Sequence, residues 1–93
     1  MPLNFAWDRP KASANLRKHG LSFEEVAAVF ADECALTIPD PDHSLVEARF
    51  ILLGTSYRAK MLVVVHTERG DSILIISARP ANRRERQQYE EAN

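Results

Sequence analysis

A single cysteine, Cys34, excludes an internal disulfide and a cysteine-built metal cage in this chain of 93 residues. The histidines, His19, His43 and His66, stand too far apart for a local metal-ligand motif, so neither a metal nor a cofactor is expected. Long apolar runs are missing. The longest, Met61 to Val65, falls far short of the ~20 residues a membrane span needs, and no basic region precedes an apolar stretch at the N-terminus. A soluble, cytoplasmic protein with no membrane partner is expected. No repeat, low-complexity tract or flexible linker is visible, and a chain of this length buries one core, which predicts a single domain over residues 1–93.

A large charge of one sign is absent as well, but the net charge of -1 conceals an asymmetry. Residues 1–48 carry a net -4 and residues 49–93 a net +3. Only a local basic cluster, not overall charge, could attract a polyanion. Apolar residues make up 45% of the chain and charged residues 27%, an ordinary mixture for a folded domain.

Local signals mark most elements. Asn4 to Trp7 reads as a short strand. Asp8 then caps a helix near 9–19, with Pro10 in its first turn, Ala12 and Leu16 on one face and Gly20 as the stop. Ser22 and Glu25 form a capping box for a second helix, with Phe23, Val26, Ala27 and Phe30 as its apolar stripe. Ala35 to Ile38 is a short strand stopped by Pro39. Three segments rich in Val, Ile and Leu, Arg49 to Leu53, Lys60 to Thr67 and Ser72 to Ala78, predict an antiparallel meander. Asn82 and Glu85 offer a capping box for a last helix near 83–91. The order predicts an α+β fold: an antiparallel sheet of three to five strands, two N-terminal helices on one face and a C-terminal helix, with the other face free for a site.

The hairpin register decides which side chains share that free face. A two-residue Gly70-Asp71 turn pairs His66 with Ile75 and puts Lys60, His66, Ser77 and Arg79 on one side. Met61, Val63, Val65, Leu74, Ile76 and Ala78 would then face the helices. A slip of one residue sends Arg79 to the other side; the two-residue turn gives the cleaner apolar face.

The stretch Trp7-Asp8, Lys11-Ala12, Asn15 and Lys18-His19-Gly20 resembles the opening of the BrnT toxins. Phe23-Glu24-Glu25, Val29-Phe30, Asp32, His43, Glu47, Arg49-Phe50, Val63 to Glu68, Ile76 to Arg79, Arg83-Arg84-Glu85 and Tyr89 continue that pattern in order. The resemblance implies a RelE-like ribonuclease fold and growth arrest by RNA cleavage. It also implies a BrnA-type antitoxin partner with a ribbon-helix-helix domain, through which alone the toxin would reach operator DNA. Leu74 departs from the pattern, which often has arginine there, and keeps open an alternative: a catalytically weakened, antitoxin-binding co-repressor. A direct DNA-binding regulator finds no helix-turn-helix pattern here.

Metal-free RNA cleavage needs a base for the 2′-OH proton, an acid for the leaving 5′-oxygen, and cations for the charged transition state. Arginine suits the last task through its planar, permanently charged fork. The catalytic candidates are therefore Arg79, Arg83 and Arg49, with His66 as proton carrier; the alternative for His66 is a plain structural hydrogen bond. Secondary RNA-binding candidates are Lys60, Arg84, Lys18, His19 and Tyr89. Lys18 and His19 read first as favourable charges at a helix C-terminus, and Tyr89 reads at least as well as a docking anchor.

Overall fold

A computed structural model describes residues 4–40 and 47–93; His43 lies outside them. The elements run in the order β1 (Asn4–Trp7), α1 (Arg9–His19), α2 (Phe23–Ala28), a 3-10 turn (Val29–Ala31), β2 (Leu36–Pro39), β3 (Arg49–Thr55), β4 (Met61–Arg69), β5 (Ser72–Pro80) and α3 (Arg83–Ala92). The five strands form one sheet in the order β1-β5-β4-β3-β2. Among the described residues, no helix is long and apolar enough to cross a membrane.

The expected caps are present, with one exception. The Asp8 carboxylate accepts from the Lys11 amide, and Gly20 ends α1 at a left-handed φ of 69°. Asn82 and Glu85 make the full capping box of α3. At α2 only half the box forms. The Ser22 hydroxyl accepts from the Glu25 amide, but the Glu25 carboxylate turns inward to accept from the Ser56 hydroxyl at 2.8 Å.

Two expectations about the sheet are corrected. It is mixed, because β1 pairs in parallel with β5 while the other pairings are antiparallel. The chain leaves β1 through two helices and returns at the far edge of the sheet, so β1 finds its free neighbour in the last strand. The two N-terminal helices do not share a face. Phe23, Val26 and Val29, from α2 and the 3-10 turn, bury against Leu52, Leu62, Val64, Ile75 and Ala78, with Leu21 beside them. Helix α1 instead runs along the edge of β5 beyond the end of β1. Its buried residue is Asn15, while Leu16, expected on the apolar face, is half exposed. The Asn15 side chain accepts from the Ala78 amide at 3.1 Å and donates to the Leu21 carbonyl at 3.4 Å, occupying the ladder position that β1 leaves empty.

Helix α3 lies over the sheet face opposite α2. The Tyr89 hydroxyl donates to Asp32 at 2.8 Å, and Glu85 and Gln88 border an apolar cleft with Leu36, Ile38, Ile51, Leu53 and Val63. Gly54 permits close packing on the α2 side, since a Cβ there would stand 2.9 Å from Val29 Cγ1.

The β4–β5 hairpin begins in the expected register and then departs from it. Arg69 faces Ser72 across Gly70-Asp71, and His66 pairs with Ile75. Val65, however, pairs with Ser77, so Ile76 is an extra residue in β5. This bulge inverts the side-chain alternation beyond it. Ser77 and Arg79 therefore lie on the face of Val63 and Val65, while His66 points with Leu62 and Val64 into the helix-covered core.

Candidate functional site

The inverted half of β5 and the inner side of α1 enclose an open groove of about 480 Å³. Its floor is Val63, Val65, Ile76 and Ser77; its polar rim is Lys11, Lys18 and His19 from α1 and Arg79 from β5. Lys11, Ala14 and Lys18 recur at intervals of three, four and seven, which places them on one helix face. The Asn15 bridge holds that face against the strand.

Arg79 is the most constrained of these cations. Its Nη1 and Nη2 donate to both oxygens of Glu85, at 2.8 and 2.7 Å, and Nη1 also donates to the Pro80 carbonyl. Glu85 is held in turn by the Asn82 amide at 2.9 Å. The hydrogen bond from Arg79 keeps the Glu85 carboxyl below its ordinary value, partial burial opposing it, and the same bond raises Arg79 further. These contacts occupy three of the five guanidinium donors. The side-on pair, Nε–H and one Nη2–H, is left without a partner among the described residues. That pair matches two oxygens of a phosphate.

The structure separates the residues expected to converge. His66 is 5% exposed, edge-on to Phe30 at a ring separation of 4.8 Å and tilted against Phe50 at 5.9 Å, and its Nδ1 finds no hydrogen-bond partner among the described residues. The expected common face of His66 and Arg79 is corrected by the bulge at Ile76. Arg49 pairs with Thr67 whereas Arg79 pairs with Val63, so four rungs of β4, about 13 Å at ~3.3 Å each, separate them along the sheet. Arg83 and Arg84 are exposed on the first turn of α3, close to Arg79 in sequence but outside the groove lining. Lys60 stands exposed at the β3–β4 turn. Tyr89 is a docking anchor, bonded to Asp32 and Thr55.

Lys18 and His19, expected as secondary candidates, line the groove, and two further lining residues, Lys11 and Asn15, together with the brace Glu85, were not among the sequence candidates. Lys11 was detectable, lying seven residues before Lys18 on one helix. Asn15 carried a weaker signal, a polar residue amid Ala12 and Leu16. Glu85 gave none beyond its capping role, because its pairing with Arg79 depends on how α3 leaves the sheet.

Burial in the aromatic pocket lowers the His66 pKa, against smaller opposite effects of the Val64 backbone and the Glu68 charge. The folded chain thus takes up a proton less readily than the unfolded chain, whose ordinary value is 6.5. Stability from the neutral ring is complete above that pH and is lost as pH falls below it, by at most about 1.4 kcal/mol per pH unit. Urea midpoints are expected to fall between pH 7.5 and 5, and His66→Leu is expected to flatten this slope while leaving the RNA cleavage that the resemblance implies within about twofold at neutral pH. A large loss of cleavage in a folded His66→Leu protein would return His66 to the chemistry.

The fold and groove define a small α+β protein presenting a cationic cleft beside a carboxylate-braced arginine. The chain belongs to the BrnT family, ribonuclease toxins of type II toxin–antitoxin systems, whose family model matches residues 7–85. Membership implies an antitoxin partner. Its fold is similar to the crystal structure of the Brucella abortus ribonuclease toxin BrnT, with a TM-score of 0.68 and 24% identity over 88% of this chain and 100% of that one. No curated protein matches.

Proposed function

We propose that this chain is a metal-independent endoribonuclease that cuts RNA in the groove between α1 and β5. The observation that carries the reading is the free side-on edge of Arg79 at a cleft rimmed by Lys11, Lys18 and His19. In the reaction, the 2′-oxygen loses its proton and bonds to phosphorus while the bond to the 5′-oxygen breaks. That oxygen leaves with a proton, giving a 2′,3′-cyclic phosphate and a 5′-hydroxyl. Arg79 stabilises the charge gathering on the phosphate oxygens. His19 takes the proton-transfer role expected of His66, since it is the histidine that lines the groove beside Arg79. Lys11 and Lys18 hold flanking phosphates. Arg83, Arg84 and Lys60 extend the positive surface, and Arg49, at the far end of the sheet, lies outside the reacting centre.

The donor set supports the metal-free reading. The rim is cationic and would repel a divalent ion, and the adjoining carboxylate, Glu85, is already paired. Dependence on the 2′-hydroxyl makes DNA inert as a substrate. We read residues 1–93 as one RelE-like domain, acting in the cytoplasm to inhibit translation and growth and neutralised by a BrnA-type ribbon-helix-helix antitoxin that supplies the contact with operator DNA. Leu74, the departure that motivates the co-repressor alternative, pairs with Thr67 and Ala6 and is not among the residues that line the groove, which favours the enzyme reading. Purified protein free of antitoxin is expected to cut single-stranded RNA equally with and without chelator, and His19→Ala to slow cutting about 10²–10⁴-fold. Chelator-sensitive cutting would refute the metal-free mechanism; no cutting at all would refute the enzyme.

A further inference from the structure

The turn joining β3 to β4, residues 56–60, is built more rigidly than a connection requires. The Ser56 hydroxyl accepts from the amides of Arg58 and Lys60, at 3.2 and 3.4 Å, and the Ser56 amide donates to the Lys60 carbonyl at 2.8 Å. Ala59 is held at a φ of 60°, where an L-residue is strained. Beneath the turn lies Glu25, a carboxylate only 2% exposed, which accepts from the Ser56 hydroxyl and faces the Arg58 guanidinium at 3.9 Å. A buried carboxylate is costly unless it is paired and bonded. Here it fixes a turn that contributes no apolar side chain to the core.

What the turn presents is an aromatic ring among cations. Tyr57 is 72% exposed, and Arg58 and Lys60 are exposed beside it. The other tyrosine, Tyr89, is fastened to Asp32, and Trp7 and the described phenylalanines pack inside. The position is also specific. Met61, the residue after the turn, lies two rungs from Val63, the partner of Arg79, a distance of about 7 Å at ~3.3 Å per residue. The Ala81 amide donates to the Met61 carbonyl, which brings the start of α3, with Arg83 and Arg84, to the same end of the sheet. The acidic residues Glu47, Glu68 and Asp71 gather toward the other end.

We propose that the 56–60 turn is a second binding site for single-stranded RNA, in which Tyr57 stacks on a base flanking the cleaved phosphate and Arg58 and Lys60 engage the neighbouring backbone. The proposal rests on the ribonuclease reading of the groove and adds to it a contact with a base rather than with phosphate. Stacking on an exposed ring tolerates any base and needs a solvent-facing aromatic beside cations, which this turn supplies.

The test is the affinity of the full chain for a short single-stranded RNA and for the same oligomer made abasic at successive positions. Tyr57→Ala is expected to weaken binding of intact RNA about tenfold and Tyr57→Trp to restore it. An oligomer abasic at the stacked position is expected to bind both proteins alike. Because Tyr57 is exposed, the variants are expected to unfold at the wild-type urea midpoint. Equal binding of intact RNA by wild type and Tyr57→Ala, with cleavage retained, would overturn the stacking site and leave the groove standing. A variant that loses antitoxin binding but not RNA binding would overturn it also, reassigning the turn to the protein partner. Wild-type protein that neither binds nor cuts RNA would overturn both readings.

Discussion

Arg79→Ala is expected to lower RNA cleavage about 10²–10³-fold while leaving the urea midpoint nearly unchanged. Removing one preorganised donor to a developing oxyanion costs that much in enzymes where the donor faces the reacting group in a water-poor site. Arg79 has the required preorganisation. Glu85 grips one edge of the guanidinium with both oxygens, the Asn82 amide holds Glu85, and the other edge, without a partner among the described residues, has the geometry to meet a phosphate. The stability cost is small because the pair is partly solvated, where ion pairs contribute about 0–1 kcal/mol. Arg79→Lys keeps the charge but presents a single point donor, so partial recovery, well below wild type, is expected. Single-turnover cleavage rates and equilibrium unfolding on the same preparations separate the outcomes. A folded Arg79→Ala protein that cuts within about threefold of wild type would remove the arginine from the reaction.

Asp32→Ala is expected to be the most damaging polar substitution for stability, by about 3 kcal/mol, since hydrogen bonds to a charged group contribute about 1.5–3 kcal/mol each and are not fully additive. The Asp32 carboxylate accepts from the amides of Cys34 and Thr55, the Thr55 hydroxyl and the Tyr89 hydroxyl. Burial alone would raise its pKa; the bonds from Thr55, Cys34 and Tyr89 outweigh it, and the carboxyl lies below its ordinary value of 3.8. This stabilisation is complete above the unfolded value and is lost as pH falls toward the folded one. Because Asp32 fastens Tyr89, its loss also loosens α3, which carries Glu85. Cleavage is therefore expected to fall together with stability, whereas Tyr89→Phe, which keeps the ring and removes one donor, is expected to cost about 1 kcal/mol. Amide exchange in α3 that stays slow in Asp32→Ala would contradict the anchoring role.

Within the β4–β5 hairpin, the sequence and the structure part company at one residue of β5. The Gly70-Asp71 turn was readable, and with it the pairing of His66 with Ile75. The extra residue at Ile76 was not, because a bulge leaves no compositional mark in a run such as Ser72 to Ala78 whose faces are nearly equally apolar. That single residue moves Ser77 and Arg79 to the face opposite His66, toward α1, while α2 packs on the Leu62 and Val64 side of β4 rather than the expected Val63 and Val65 side and so buries the expected proton carrier. The helix-face spacing of Lys11, Lys18 and His19 was visible along the chain, but nothing in one sequence says which strand the helix lies beside.

By itself the sequence determined the helices, their caps, the meander strands and the family, because these rest on local hydrogen bonding, on periodicity and on motifs in order. Only the tertiary structure decided which side chains share the groove proposed as the site. The parallel seating of β1, the edge position of α1 and the bulge in β5 are settled by long-range pairing and burial, which compete across the whole molecule. A shift of one residue in that competition costs little locally and moves every side chain beyond it to the other face.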